Sequence, residues 1–192
     1  LTSTMTDLQR GPIASQLTDE TMTSSTGALL EDSKEEYEEV KSIASASDRI
    51  NYSRNEENLS FEGNFSKAFE SVATNYLMFI SDEDAPKLDF IKDNMPLFEN
   101  VDAYGAIRPS VATDPSNPAT DRNATTYLDK CFVPGVDALC DFGISGNYLS
   151  GAIYNAHLIK TSGLHDRLKS KLVEQRFYPH LYLNSLISTR FP

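Results

Sequence analysis

A chain of 192 residues that is 40% apolar and 23% charged has the composition of a globular protein and not of a wholly disordered one. Every apolar run is broken within a few positions by a charge, Asn or Gly, far short of the ~20 residues a bilayer-spanning helix needs, which excludes such a helix. A net charge of −11 opposes binding to nucleic acid through the surface at large, because phosphate affinity comes from clustered Lys and Arg.

The charge is unevenly spread. Residues 1–150 hold 11 Lys+Arg against 26 Asp+Glu, a net of −15, while residues 151–192 hold 6 against 2, a net of +4. Such a dipole either folds its basic end against its own acidic body or offers it to an acidic protein. The chain opens at Leu1 with neither a basic nor an apolar leader. Two readings stay open: the chain starts late, or a targeting segment has been removed and the protein resides in an organelle lumen or outside the cell.

Residues 1–26 contain 11 Ser or Thr and no aromatic. Burial cannot offset the ordering entropy of such a segment, which predicts an extended or partly disordered arm. The Glu-rich stretch about 28–50 predicts one helix with a thin apolar stripe, so residues 1–60 read as a polar, acidic arm. All ten Phe lie at or beyond Phe61, which places the core in residues 61–192. Phe61, Phe65, Phe69, Val72, Tyr76 and Phe79 recur at helical spacing and predict a central helix ending at the acidic cluster Ser81–Asp84. A second helix carries Leu88, Ile91 and Met95 until Pro96 stops it.

The stretch 100–126, with Pro109, Pro115 and Pro118 among Asp and Asn, predicts a long loop. Val133–Ile159, punctuated by Gly135, Gly143, Gly146 and Gly151, reads as two short helices or a helix and a turn. Ser162 is positioned to cap a helix carrying Leu164, Leu168 and Leu172, and beyond Pro179 the leucines continue as a short final segment. The fold class predicted is therefore mainly α: an irregular helical domain behind a long arm.

Cys131 and Cys140 could close a small disulfide loop in an oxidising compartment, or remain thiols in the cytosol. No second Cys or His pair stands at zinc-ligand spacing beside them. His157, His165 and His180 read as surface or capping residues, and Asp82–Asp84, Asp114, Asn117 and Asp121 as solvated turns, none matching a calcium loop. Asp141-Phe142-Gly143 spells a kinase tripeptide without its companion motifs, and Gly143-Ile144-Ser145-Gly146 misses the hydrolase elbow by one residue. Asn51, Asn58, Asn64 and Asn123 begin N-x-[ST] sequons, compatible with a secretory history and no proof of it. Arg167, Lys169, Lys171 and Arg176 surround the leucine stripe of the last helix, which packs in its own domain, in a partner groove or on an anionic membrane surface.

Two functional readings follow. In the first, no residue is catalytic or metal-ligating: the chain is a non-enzymatic structural or interaction subunit of a larger assembly, its arm running over neighbouring proteins and its basic C-terminal helix docking on one of them. In the second, it is a small helical enzyme or ligand-binding protein whose site gathers distant residues such as His157, His165, Tyr148 and Asp141. Pigment or other cofactor binding leaves too little trace in one sequence to assign.

Overall fold

The computed structural model describes residues 13–17, 26–31, 38–46, 48–80, 84, 88–109, 130–144, 149–174 and 178–192. In chain order they form β1 (Ile13–Leu17), β2 (Thr26–Glu31), α1 (Glu38–Ser45), β3 (Ile50–Arg54), α2 (Ser60–Ser71), β4 (Tyr76–Ile80), α3 (Leu88–Asp93), α4 (Pro96–Glu99) and β5 (Ala106–Ile107). A single helical turn α5 (Val136–Ala138) runs into a π-helical segment, Leu139–Ile144, followed by β6 (Ile153–Asn155), α6 (Ala156–Thr161), α7 (Leu164–Glu174) and α8 (Pro179–Ser188).

This is a mixed α/β fold, which corrects the mainly α expectation. The six strands make one sheet in the order β3-β2-β1-β4-β6-β5. Among the described strands, β1 is antiparallel to β2, β4 is antiparallel to both β1 and β6, β6 is antiparallel to β5, and β2 and β3 run parallel, joined through α1.

Tyr76–Ile80 departs furthest from the helical expectation. A single helix would put Tyr76 and Phe79 on one face with Phe61, Phe65 and Phe69, whereas α2 ends at Ser71 and Tyr-Leu-Met-Phe-Ile is a strand buried along its whole length. A continuous apolar run of five with aromatic residues is the pattern of a central strand covered on both faces. Alternation sends its side chains to two clusters. Leu77 and Phe79 join Phe65, Phe69, Tyr154, Ile159, Leu164, Leu168, Leu183 and Ile187 under α2, α6, α7 and α8. Tyr76, Met78 and Ile80 join Ile153 and Ile91 on the opposite face. The register agrees, pairing Leu77 with Tyr154 and Met78 with Ile153 across β4 and β6.

The helix expected over 28–50 is likewise replaced. Its first residues are strand β2, residues 38–45 are the short α1, and its last residue opens β3. Ala and Leu favour helix intrinsically, and pairing with β1 and β3 overrides that preference. Pro96 starts α4 as its first residue instead of merely ending the preceding helix, in keeping with proline's tolerance at that position. Ser162 closes α6 and does not open α7. The leucine-lined helix after Gly163 and the final segment from Pro179 are present as α7 and α8.

Gly143 is needed where the π-helical segment meets α8: a Cβ there would lie 3.1 Å from Ser188 Oγ and 3.3 Å from the Ser185 backbone. At Gly105 the constraint is harsher, because a Cβ would fall 2.7 Å from both Ile187 Cγ2 and Phe191 Cβ.

Candidate functional site

Three constellations hold the groups able to do chemistry or recognition. The first joins α2 to α7. Ser66 Oγ lies 3.4 Å from His165 Nε2, both residues being buried, and the Phe69 ring stacks obliquely on the imidazole at 5.9 Å. Burial pushes the His165 pKa below its ordinary value, a trend that its hydrogen bond to the Ser66 backbone and nearby Glu70 oppose. On the adjoining surface Lys169 Nζ donates to Glu70 Oε1 at 2.5 Å, and this bond holds the Glu70 carboxyl below the usual carboxylate range. A Ser–His contact beside a carboxylate has the composition of a hydrolase triad. Here Ser66 stands inside a helix at 6% exposure, its partner also bonds the helix backbone, and Glu70 is engaged by Lys169. The arrangement is a polar clasp between two helices.

The second constellation is buried against β6. Tyr154, fully enclosed, donates its hydroxyl to Asn184 Oδ1 of α8 at 2.9 Å. Burial raises its pKa far above the tyrosine range even though the Arg108 guanidinium beside it favours the phenolate, so the phenol keeps its proton as a donor. Arg108 also covers the Phe142 ring, with Cζ 4.9 Å from the centroid, and thereby ties the strand edge to the π-helical segment. Next along the chain, Asn155 accepts from the Leu158 N–H as the cap of α6, while its amide donates to the Val101 and Tyr104 carbonyls at 2.5 and 2.9 Å.

The third constellation is at the surface. Lys130 Nζ reaches Asp141 Oδ2 at 3.3 Å and sits 4.3 Å over the Phe132 ring. Between these ends the chain presents Val133 and Val136 at 81% and 74% exposure around Pro134–Gly135. The turn is anchored to α8 by the Gly135 N–H, which donates to the Ser188 carbonyl at 2.9 Å, and is continued by the Leu139 N–H donating to Gly135 O. Val133 and Val136 are, with Tyr178, the large apolar side chains most exposed among the described residues.

The residues singled out from sequence are dispersed. Cys131 and Cys140 are both exposed thiols at the two ends of this turn. On α7, Arg167 is exposed and Lys169 is engaged with Glu70; the Lys171 side chain and Arg176 lie outside the described residues. His157 is exposed, whereas His165 and His180 are buried, which corrects their reading as surface groups. His180 packs edge-on against Phe61 at 5.8 Å and against the exposed Tyr178 at 5.9 Å. Asp141 is paired with Lys130 and distant in role from the buried histidines; Tyr148 lies outside the described residues, as do Asp82, Asp114, Asn117, Asp121 and Asn123. Asn51 and Asn58 are exposed, but Asn64 is fully buried and accepts from Asn55 Nδ2 at 2.6 Å, leaving no room for a glycan in the folded chain.

Sequence reasoning missed Ser66, Tyr154, Asn184 and the Val133–Val136 surface. Asn155 carried a legible signal, an Asn immediately before a short apolar helical run; the others emerge only from tertiary contact. Among the described residues no group of three or more His, Cys, Asp or Glu is placed to hold a metal ion, and no helix is long and apolar enough to cross a membrane. No protein-family model, curated protein or solved structure matches the chain.

Proposed function

We propose that this protein is a non-enzymatic interaction subunit, and that the turn bearing Val133 and Val136 is its contact surface for a partner protein. The observation that carries this reading is the exposure of those two valines on a turn anchored to α8 and tied at its ends by Lys130–Asp141. A preorganised apolar patch loses little entropy on binding. Asp137 is exposed beside it, and Asp141 is paired with Lys130 at its base, so the partner offers an apolar face with a basic group opposite Asp137. The buried polar groups support the same reading, since Ser66–His165 and Tyr154–Asn184 are spent on joining elements. Exposed Arg167 on α7 is a second charged contact for the same assembly.

The test places a photo-crosslinking residue at Val133 and, as control, at exposed Thr161 on α6. A single adduct of constant mass from position 133 in native extract, lost when Val136 becomes Asp, supports the reading. A native particle containing this polypeptide alone, with no adduct from position 133, overturns it.

A further inference from the structure

We infer that Cys131 and Cys140 form a reversible disulfide that sets the shape of the Val133–Val136 contact surface, an inference that rests on the interaction reading above. Both thiols are exposed, so an external disulfide can reach them. Their neighbours in sequence, Lys130 and Asp141, meet through their side chains at 3.3 Å across the base of the turn, which places both cysteines at that end of it. Cys131 and the two residues after it belong to neither helix nor strand, so it is the Cys131 side that can move while Cys140 stays in the π-helical segment.

The geometry of the turn changes on closure. A Lys–Asp ion pair spans two side chains, one of them long, whereas a disulfide holds its Cα atoms within about 7 Å. Oxidation therefore replaces an exposed side-chain ion pair at the base of the turn by a short covalent link while the Gly135 N–H remains fixed to Ser188 O, and Val133, between these two points, is held in the arrangement that the link allows. One form presents the apolar surface that the partner reads, and the other alters it.

The chemistry balances with a small-molecule disulfide of the glutathione type as oxidant. One cysteine thiolate attacks the oxidant's S–S bond, releasing a thiol and leaving a mixed disulfide on the protein. The second thiolate attacks the protein sulfur of that mixed disulfide and displaces the second small thiol. Both protein thiols lose their protons, the protein is oxidised by two electrons, and the oxidant is reduced to two thiols.

The experiment equilibrates the full chain in reduced and oxidised glutathione over a range of ratios, traps the thiols, and maps the peptides by mass. The expected result is one intrachain link between Cys131 and Cys140, reversed by excess reduced glutathione, with Cys140→Ser carrying only a glutathione adduct on Cys131. Glutathione adducts on both cysteines without an intrachain link, or links only between chains, overturn the proposal. The crosslinker at Val133 is then used on both redox forms. At least a fivefold difference in adduct yield is expected, and is absent in Cys140→Ser. Equal yields overturn the regulatory role while leaving the interaction reading intact, whereas no adduct from either form removes the interaction reading and the regulation with it. The peptide map judges the thiol pair without any partner.

Discussion

At the scale of single residues, the buried polar groups act as fasteners. Among them, His165 makes a contribution that depends on pH near neutral. Its imidazole faces Ser66 and, further out, Glu70 of α2, with Asp166 and Lys169 on its own helix. Burial lowers its pKa below the ordinary 6.5, so the unfolded chain takes up the proton first as pH falls. Its contribution is thus fully present above pH 6.5 and is lost as the pH drops toward its depressed value; Glu70, also depressed, adds a loss in the same direction at more acidic pH. The urea midpoint should decline from pH 6.5 downward, and His165→Gln should flatten the upper part of that decline. A decline unchanged by the substitution would assign it to other groups. Tyr154→Phe removes the donor to Asn184 without changing the ring, and should cost about 1–2 kcal/mol in chemical denaturation. In a glycosylating host, Asn64 should be recovered unmodified from folded protein at full secretion, its side chain being enclosed against Asn55.

At the scale of elements, the parts legible in the sequence are those whose burial has a single face. α7 shows its leucines at helical spacing because only one side meets the core, with Leu164 and Leu168 buried and Arg167 and Lys169 outward. α2 was legible through Phe61, Phe65 and Phe69 for the same reason. What escaped was β4, since a strand enclosed on both faces loses the alternation that would announce it, and its aromatic residues happen to continue the helical period of α2. β2 escaped because its Ala and Leu carry a helical preference that sheet pairing overrides. The exposed valines were hidden for a third reason: exposure of Val133 and Val136 depends on how the turn is hung from Ser188, and no local pattern encodes that. Phe79→Ala, which empties a site stacked on Phe65 at 4.7 Å, should cost about 3–5 kcal/mol and release both helical and sheet contacts together. Gly105→Ala should also be destabilising, through its collision with Ile187 and Phe191, and a thermal midpoint equal to wild type would show that the α8 end can shift.

At the scale of the whole molecule, the core is organised around β4, with helices α2, α6, α7 and α8 closing one face and Ile91 with Phe90 and Phe98 contributing to the other. Substituting Val133 and Val136 with Asp should leave this core alone, since neither side chain reaches it, and should change the denaturation midpoint little while abolishing partner recovery. Closing the Cys131–Cys140 loop should raise stability by about 2–3 kcal/mol in the chain-entropy view, read as the difference between oxidised and reduced midpoints. The enclosure of β4 also governs how the molecule comes into being during synthesis. Its two partners in the sheet lie at Ile13–Leu17 and Ile153–Asn155, so the uncharged run Tyr-Leu-Met-Phe-Ile leaves the ribosome long before the second of them exists. Contacts so far apart in sequence form slowly, and an unpaired apolar strand in the interval is a template for other nascent chains. The acidic run Asp82, Glu83 and Asp84 follows it after a single serine, and charge beside an apolar strand opposes such pairing: neutralising all three should lower the soluble yield of a freshly made chain.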